Sequence, residues 1–97
     1  MTRESEIERY LCTRVRALGG ETRKITWIGR RGAPDRLVFL GGGVMFIELK
    51  APGRRPSVAQ TKELERLRDL GARAVWASSR AEIDALVEAM MTRGGES

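Results

Sequence analysis

The sequence predicts one α/β domain whose mixed sheet is covered by helices, and three observations predict it. Apolar residues recur at helical spacing near both ends of the chain, as Ile7, Leu11, Val15 and Leu18 and again as Ile83, Leu86, Val87 and Met90. Between them, Arg36–Leu40 and Val44–Ile47 are two apolar runs hinged at Gly41-Gly42-Gly43, the pattern of a hairpin. A helical segment from Ser57 to Leu70 then leads into the short apolar run Ala72–Ala77. That order returns a strand parallel to its neighbour through a right-handed crossover. The element order is αβββαβα.

The first helix runs from Glu4 to Leu18, with Tyr10 beside its apolar stripe, and Gly19-Gly20 ends it. Thr22–Ile28 is β-branched and aromatic, which predicts a strand. Gly29–Pro34 is a basic loop carrying Arg30 and Arg31, and the hairpin follows. One hairpin face carries Leu37, Phe39, Val44 and Phe46, and the other Val38, Leu40, Met45 and Ile47, so its strands read as interior ones. A second basic loop, Ala51–Pro56, carries Arg54 and Arg55. The next helix opens at Ser57, with Val58, Leu64, Leu67 and Leu70 as its expected buried face and Gly71 as its end. Trp27 and Trp76 each sit in an apolar strand pattern and read as sheet packing. Ser79-x-x-Glu82 is a capping box for the last helix. The expected division is one domain over residues 1–92 and a disordered tail over 93–97.

Composition narrows the function. The chain has 97 residues, 41% apolar and 32% charged, which describes a single folded globule rather than a disordered polymer. Its 18 Lys and Arg against 13 acidic residues give a net charge of +5, which suits a polyanionic partner. Histidine is absent, so His-ligated zinc and Ser-His or Cys-His nucleophile pairs are excluded within the chain. Cys12 stands alone, which rules out an internal disulfide, fits a reducing cytoplasm and reads as a small packed side chain. No membrane span, signal peptide or organic-cofactor motif is expected.

Chemistry concentrates at Pro34-Asp35 and Glu48-Leu49-Lys50. Alternation along a strand puts Glu48 and Lys50 on one face. Folding back at Gly41-Gly42 sets Asp35 opposite Glu48, and a register two residues longer sets it opposite Lys50. Either register brings two carboxylates and an ammonium together. Mg²⁺ takes one or two protein carboxylates together with water and substrate phosphate, and a lysine can steady charge developing on the phosphate. The pattern therefore reads as a metal-dependent phosphodiesterase. Arg30, Arg31, Arg54 and Arg55 flank this spot as candidate phosphate contacts. The bland readings are a Pro-Asp turn, a solvated Glu-x-Lys strand face and arginines loose in loops. Ser57-x-x-Gln60 likewise reads as a capping box, and Glu4 and Glu6 as residues favouring the positive end of a helix dipole.

Gly32-Ala-Pro-Asp-Arg36, the glycine hairpin, Phe46-Ile-Glu-Leu-Lys-Ala-Pro-Gly53 and Ser57-x-x-Gln60 together resemble the VRR-NUC (virus-type replication-repair nuclease) family of the PD-(D/E)xK nuclease superfamily. The resemblance runs from about Glu4 to Met90 and implies a restriction-endonuclease-like αβββαβ core with a C-terminal helix. It implies Asp35 and Glu48 as metal ligands, Lys50 as the catalytic lysine, Gln60 as a site residue on the following helix, and Glu4, or alternatively Glu6, as the acidic residue of the first helix. The implied cofactor is Mg²⁺, with Mn²⁺ as substitute. The implied activity is a structure-selective DNA endonuclease, a phage-type homodimer that resolves four-way (Holliday) junctions in branched DNA. Arg55-Pro56-Ser57 departs from the family's usual Arg-Leu-Ser but touches no implied ligand. The alternatives are a flap or branched-end nuclease, a basic nucleic-acid-binding module with a vestigial site, and a protein-interaction domain using the hairpin edge. For the last, the sequence displays no distinctive apolar surface.

Overall fold

The structure is a computed structural model and describes residues 2–95. Helix α1 spans Glu4–Ala17. Strands β1 (Glu21–Lys24), β2 (Arg36–Leu40) and β3 (Gly43–Leu49) follow, then helix α2 (Val58–Asp69), strand β4 (Ala74–Ala77) and helix α3 (Arg80–Gly95). The sheet order is β1-β2-β3-β4, antiparallel except for the parallel β3–β4 pair, so the hairpin strands are interior as their two apolar faces require. Val38, Leu40, Met45, Ile47 and Leu49 turn one face of the sheet onto Ile7, Leu11 and Val15 of α1 and Ile83, Val87 and Met90 of α3, forming a single core. Phe46 and Glu48 alternate to the other face, where α2 packs against β4 around Leu64.

The two ends of the sheet differ in character. Gly41 at the hairpin turn has φ +61°, and a Cβ there would lie 2.5 Å from the Met90 carbonyl oxygen. The turn is therefore pressed against the C-terminal half of α3. The carboxyl ends of β3 and β4 lie at the opposite edge. Arg36 stitches the layers together, donating from Nε to Glu8 Oε2 on α1 (2.8 Å) and from Nη1 to Thr22 Oγ1 on β1 (3.1 Å).

Four expectations need correction. The first strand stops at Lys24 instead of Ile28. Ile25 still donates its N–H to the Asp35 carbonyl (3.2 Å), but the partner segment leaves the ladder just upstream at Gly32, whose left-handed φ of +84° turns the loop onto α2. Trp27 thus leaves the sheet and packs its ring against Phe46, with centroids 6.1 Å apart. On α2, Val58 and Leu70 are 73% and 71% exposed, because the helix lies over one margin of the sheet and only its Glu63–Leu64 side meets protein. Leu18, Phe39, Val44 and Met91 form an apolar surface around the hairpin turn where none was expected. Finally, α3 continues through residues 93–95, which were assigned to a disordered tail; the rest of that tail, 96–97, lies outside the described residues. No helix among the described residues is long and apolar enough to cross a membrane.

Replacing Gly41 by alanine forces a side chain into left-handed backbone and into the Met90 carbonyl. The expected loss is about 1–3 kcal/mol of unfolding free energy in urea titrations. Gly42→Ala meets no neighbouring atom and should cost less, since only the backbone strain applies.

Candidate functional site

The β2–β3 register pairs Leu40 with Gly43 and Arg36 with Ile47, so one step further Asp35 stands opposite Glu48. The shorter of the two registers considered from sequence is the one adopted. Asp35 follows buried Pro34, and its carboxylate Oδ2 accepts the Leu49 N–H at 2.7 Å, so the side chain itself takes a backbone donor at the end of the β2–β3 pair. On the other side, Lys50 donates its N–H to the Ala77 carbonyl at 3.0 Å, which holds the strand end against β4.

Glu48 is the unusual residue. It is only 1% exposed, and its Oε2 has no hydrogen-bond partner among the described residues. Burial raises its pKa from 4.5 to about 8, helped by hydrogen bonding to and repulsion from Asp35 and by the charge of Glu4, with Lys50 acting the other way. Asp35, Lys50 and Glu4 are thus the charged groups that act on Glu48, whereas Glu6 lines a groove toward Arg9 and Tyr10. No three acidic or cysteine side chains among the described residues form a ready-made metal cage. Two carboxylates, one with an orphaned buried oxygen, suit an Mg²⁺-type ion that keeps water in most of its coordination sphere.

Gln60 is engaged as the alternative reading had it. Ser57 accepts the Gln60 N–H (3.1 Å) and Gln60 Oε1 accepts the Ser57 N–H (2.8 Å), a complete capping box at the start of α2. This helix start still borders the site. Gly32, at φ +84°, lies so close that a Cβ on it would come within 2.6 Å of the Ala59 carbonyl oxygen. The basic loop leading to Asp35 is thereby seated on α2. Arg30 strengthens the seat by donating from Nη2 to Glu63 Oε1 at 3.0 Å, and Glu63 is 6% exposed. Arg30 therefore holds an internal carboxylate, in contrast to the exposed Arg31, Arg54 and Arg55. Glu63 escaped the sequence reading; its position three residues after Gln60 places both on one side of α2, but nothing local pairs it with Arg30. Cys12 is half-buried with Sγ 3.5 Å from Thr22 Oγ1, a packed thiol away from the carboxylates.

All three helices begin at this edge. α2 starts beside Gly32 and α3 directly after β4, while Glu4 in the first turn of α1 lies near Glu48. Their positive dipole ends favour an anion here.

A comparison with family models returned no match. Among curated proteins, the chain is 45% identical over 76 residues to a protein of Acyrthosiphon pisum secondary endosymbiont phage 1 named "Putative nuclease p44", covering 77% of this chain and 82% of that one. Among solved structures it is similar to a VRR_NUC domain, with TM-score 0.80 and 38% identity over 91% of this chain and 97% of that chain.

Two outcomes follow from the geometry. A carboxyl with a folded pKa raised to about 8 holds its proton when the unfolded chain has lost it, so stability falls as pH climbs from about 4.5 to 8. Urea titrations in EDTA should show a fall of up to about 1.4 kcal/mol per pH unit in that window, and Glu48→Gln should flatten it. Arg30→Ala strands the Glu63 carboxylate and should cost about 1–3 kcal/mol, after allowing for the half-exposed guanidinium. Arg31→Ala should be near neutral in the same titration.

Proposed function

The chain belongs to the VRR-NUC family of nucleases, and from that premise we propose that it is an Mg²⁺-dependent, structure-selective DNA endonuclease that resolves four-way junctions as a homodimer. The observation that carries the reading is the buried carboxylate of Glu48, one oxygen of which has no hydrogen-bond partner among the described residues, with Asp35 and Lys50 as charged neighbours. A carboxyl with a raised pKa inside a protein is costly unless a cation takes the place of its proton.

Asp35 and Glu48 would hold the ion, and Glu4 would act on it through its charge. Bound there, Mg²⁺ supplies Lewis-acid stabilisation of the phosphoryl oxygens and a more acidic water. Asp35 does two jobs, because the Leu49 N–H that it accepts fixes the carboxylate in place. Lys50 alternates to the same side as Glu48, and its ammonium would steady negative charge growing on the scissile phosphate. Gln60 acts through structure, capping the helix against which the Asp35 loop rests. Arg31, Arg54 and Arg55 stand exposed on the flanking loops as phosphate contacts.

A dimer is supported by the chemistry of resolution, which needs two incisions in strands related by two-fold symmetry while each chain carries one site. The apolar surface of Leu18, Phe39, Val44 and Met91 gives two copies something to bury without covering the carboxylates. Selectivity would rest on branch shape and backbone, which the exposed loop arginines and helix N-termini are suited to contact.

Wild-type protein should cut synthetic four-way junctions in Mg²⁺ or Mn²⁺ and not in EDTA, with paired, nearly symmetric nicks on junctions labelled strand by strand. Asp35→Asn and Glu48→Gln should abolish cleavage while sparing DNA binding, and Lys50→Ala should slow it by about a hundredfold or more. Undiminished cutting by Asp35→Asn would reject the assigned centre. A sedimenting monomer that nicks flaps and leaves junctions whole would reject the resolvase reading while preserving the nuclease.

A further inference from the structure

On the outer side of α1, an open groove of about 400 Å³ runs between α1 and the start of α3, lined by Arg3, Arg9, Tyr10, Thr13 and Arg80. Its floor is built. The Tyr10 hydroxyl donates to Asp84 Oδ1 at 2.7 Å, Arg14 Nε donates to the same oxygen at 3.1 Å, and the Arg80 guanidinium lies over the Tyr10 ring at 5.3 Å. The arginines facing the groove are chemically unlike those that bind the layers together. Arg14, Arg23, Arg30 and Arg36 each pair with a carboxylate, whereas among the described residues Arg3, Arg9 and Arg80 pair with none and are exposed. Glu6 is the sole acidic side chain on the wall, so the groove is positive.

We propose that this groove carries the phosphodiester backbone of a nucleic-acid arm leaving the carboxylate site, with Arg3, Arg9 and Arg80 on successive phosphates. The inference rests on the nuclease reading for its choice of polyanion, and four features favour it. The groove begins at the same end of the fold as the carboxylates, because Arg3 is the N-cap of α1 and the helix opens on Glu4, whose charge acts on Glu48. The first turn of α1 has no side-chain cap, and beyond the Glu6 and Ile7 N–H groups that donate to the Arg3 carbonyl its remaining donors face outward for an anion. Thr13 and nearby Ser5 add hydroxyl donors suited to phosphate oxygens. Lastly, Ser5 to Thr13 extends about 12 Å along the helix axis, and phosphates of one strand advance about 3.4 Å per step along a duplex, so roughly three fall within reach. An arm bound here and arginines on the loops at 31, 54 and 55 would grip nucleic acid on two sides of one catalytic centre.

The test is the salt dependence of binding, measured by fluorescence anisotropy of the full chain in EDTA on a labelled four-way junction and on a linear duplex. Arg9→Ala/Arg80→Ala should make the slope of log affinity against log salt shallower by about two units. Arg9→Ala alone, which disturbs no packing around Tyr10, should account for about one unit, and Arg9→Lys should restore it. Arg66→Ala/Arg93→Ala removes equal charge from the far ends of α2 and α3 and should leave the slope unchanged. Wild-type slope in the groove variants, or an equal change in the far-edge variant, would overturn the proposal. Cleavage in Mg²⁺ is scored separately. A wild-type protein that never cuts but keeps the groove-specific slope would refute the nuclease reading and uphold the groove as a nucleic-acid surface.

Discussion

The pairing of Asp35 with Glu48 depends on one register, and most of the fold serves to keep it. Side chains alternate along β3, so Ile47 and Leu49 enter the core while Glu48 faces away. A slip of one residue would drive the carboxylate into the apolar layer under α1 and α3 and expel two core residues. Gly41-Gly42 sets the turn, the contact of Gly41 with the Met90 carbonyl holds that turn on α3, and Arg36 ties the far end of β2 to Glu8 and Thr22. Both ends of the hairpin are thus anchored to elements distant in sequence, which a single exposed hairpin could not achieve alone.

That arrangement gives the molecule a polarity. Parallel β3 and β4 end at the edge where all three helices begin, so backbone dipoles and the carboxylate pair meet in one place. The opposite end carries the hairpin turn, the C-terminal part of α3 and the exposed Leu18, Phe39, Val44 and Met91. Chemistry and any self-association can therefore occupy different ends. Loop residues near the chemistry are held by packing: Gly32 rests on the Ala59 carbonyl, and Arg30 reaches Glu63 inside the fold. Seating the Asp35 loop on α2 makes that helix part of the site's support even though its outer face, with Val58 and Leu70, is bare.

The helices, the hairpin and the Asp35–Glu48–Lys50 grouping were legible in the sequence because each is written in local periodicity or a single turn. What was hidden depends on elements meeting across the chain. The first strand ends early because its partner segment turns away onto α2 at Gly32, a contact between residues distant in sequence. Val58 and Leu70 fit a helical stripe, yet burial depends on where α2 sits over the sheet. Glu63 and Arg30 are 33 residues apart and leave no periodic trace. Tyr10 and Asp84 are 74 apart, so the groove they underlie exists only after α1 and α3 pack side by side. Gln60 was readable both as a cap and as a site residue; the cap is formed, and it sits beside the loop that carries Asp35.

The charge balance at the carboxylates supplies the last link between fold and chemistry. Glu48 feels Asp35 and Glu4 as like charges and Lys50 as its one opposite charge. With every carboxylate ionised, the group would carry two negative charges more than Lys50 can offset, in a place where Glu48 has almost no access to water. The protein alone relieves this only by leaving a proton on Glu48, which is what the pKa near 8 expresses. Under the proposed function, a divalent cation would cancel the same excess without the proton. The remaining positive features of the edge, Lys50 and the three helix N-termini, would then be left to act on an approaching phosphate.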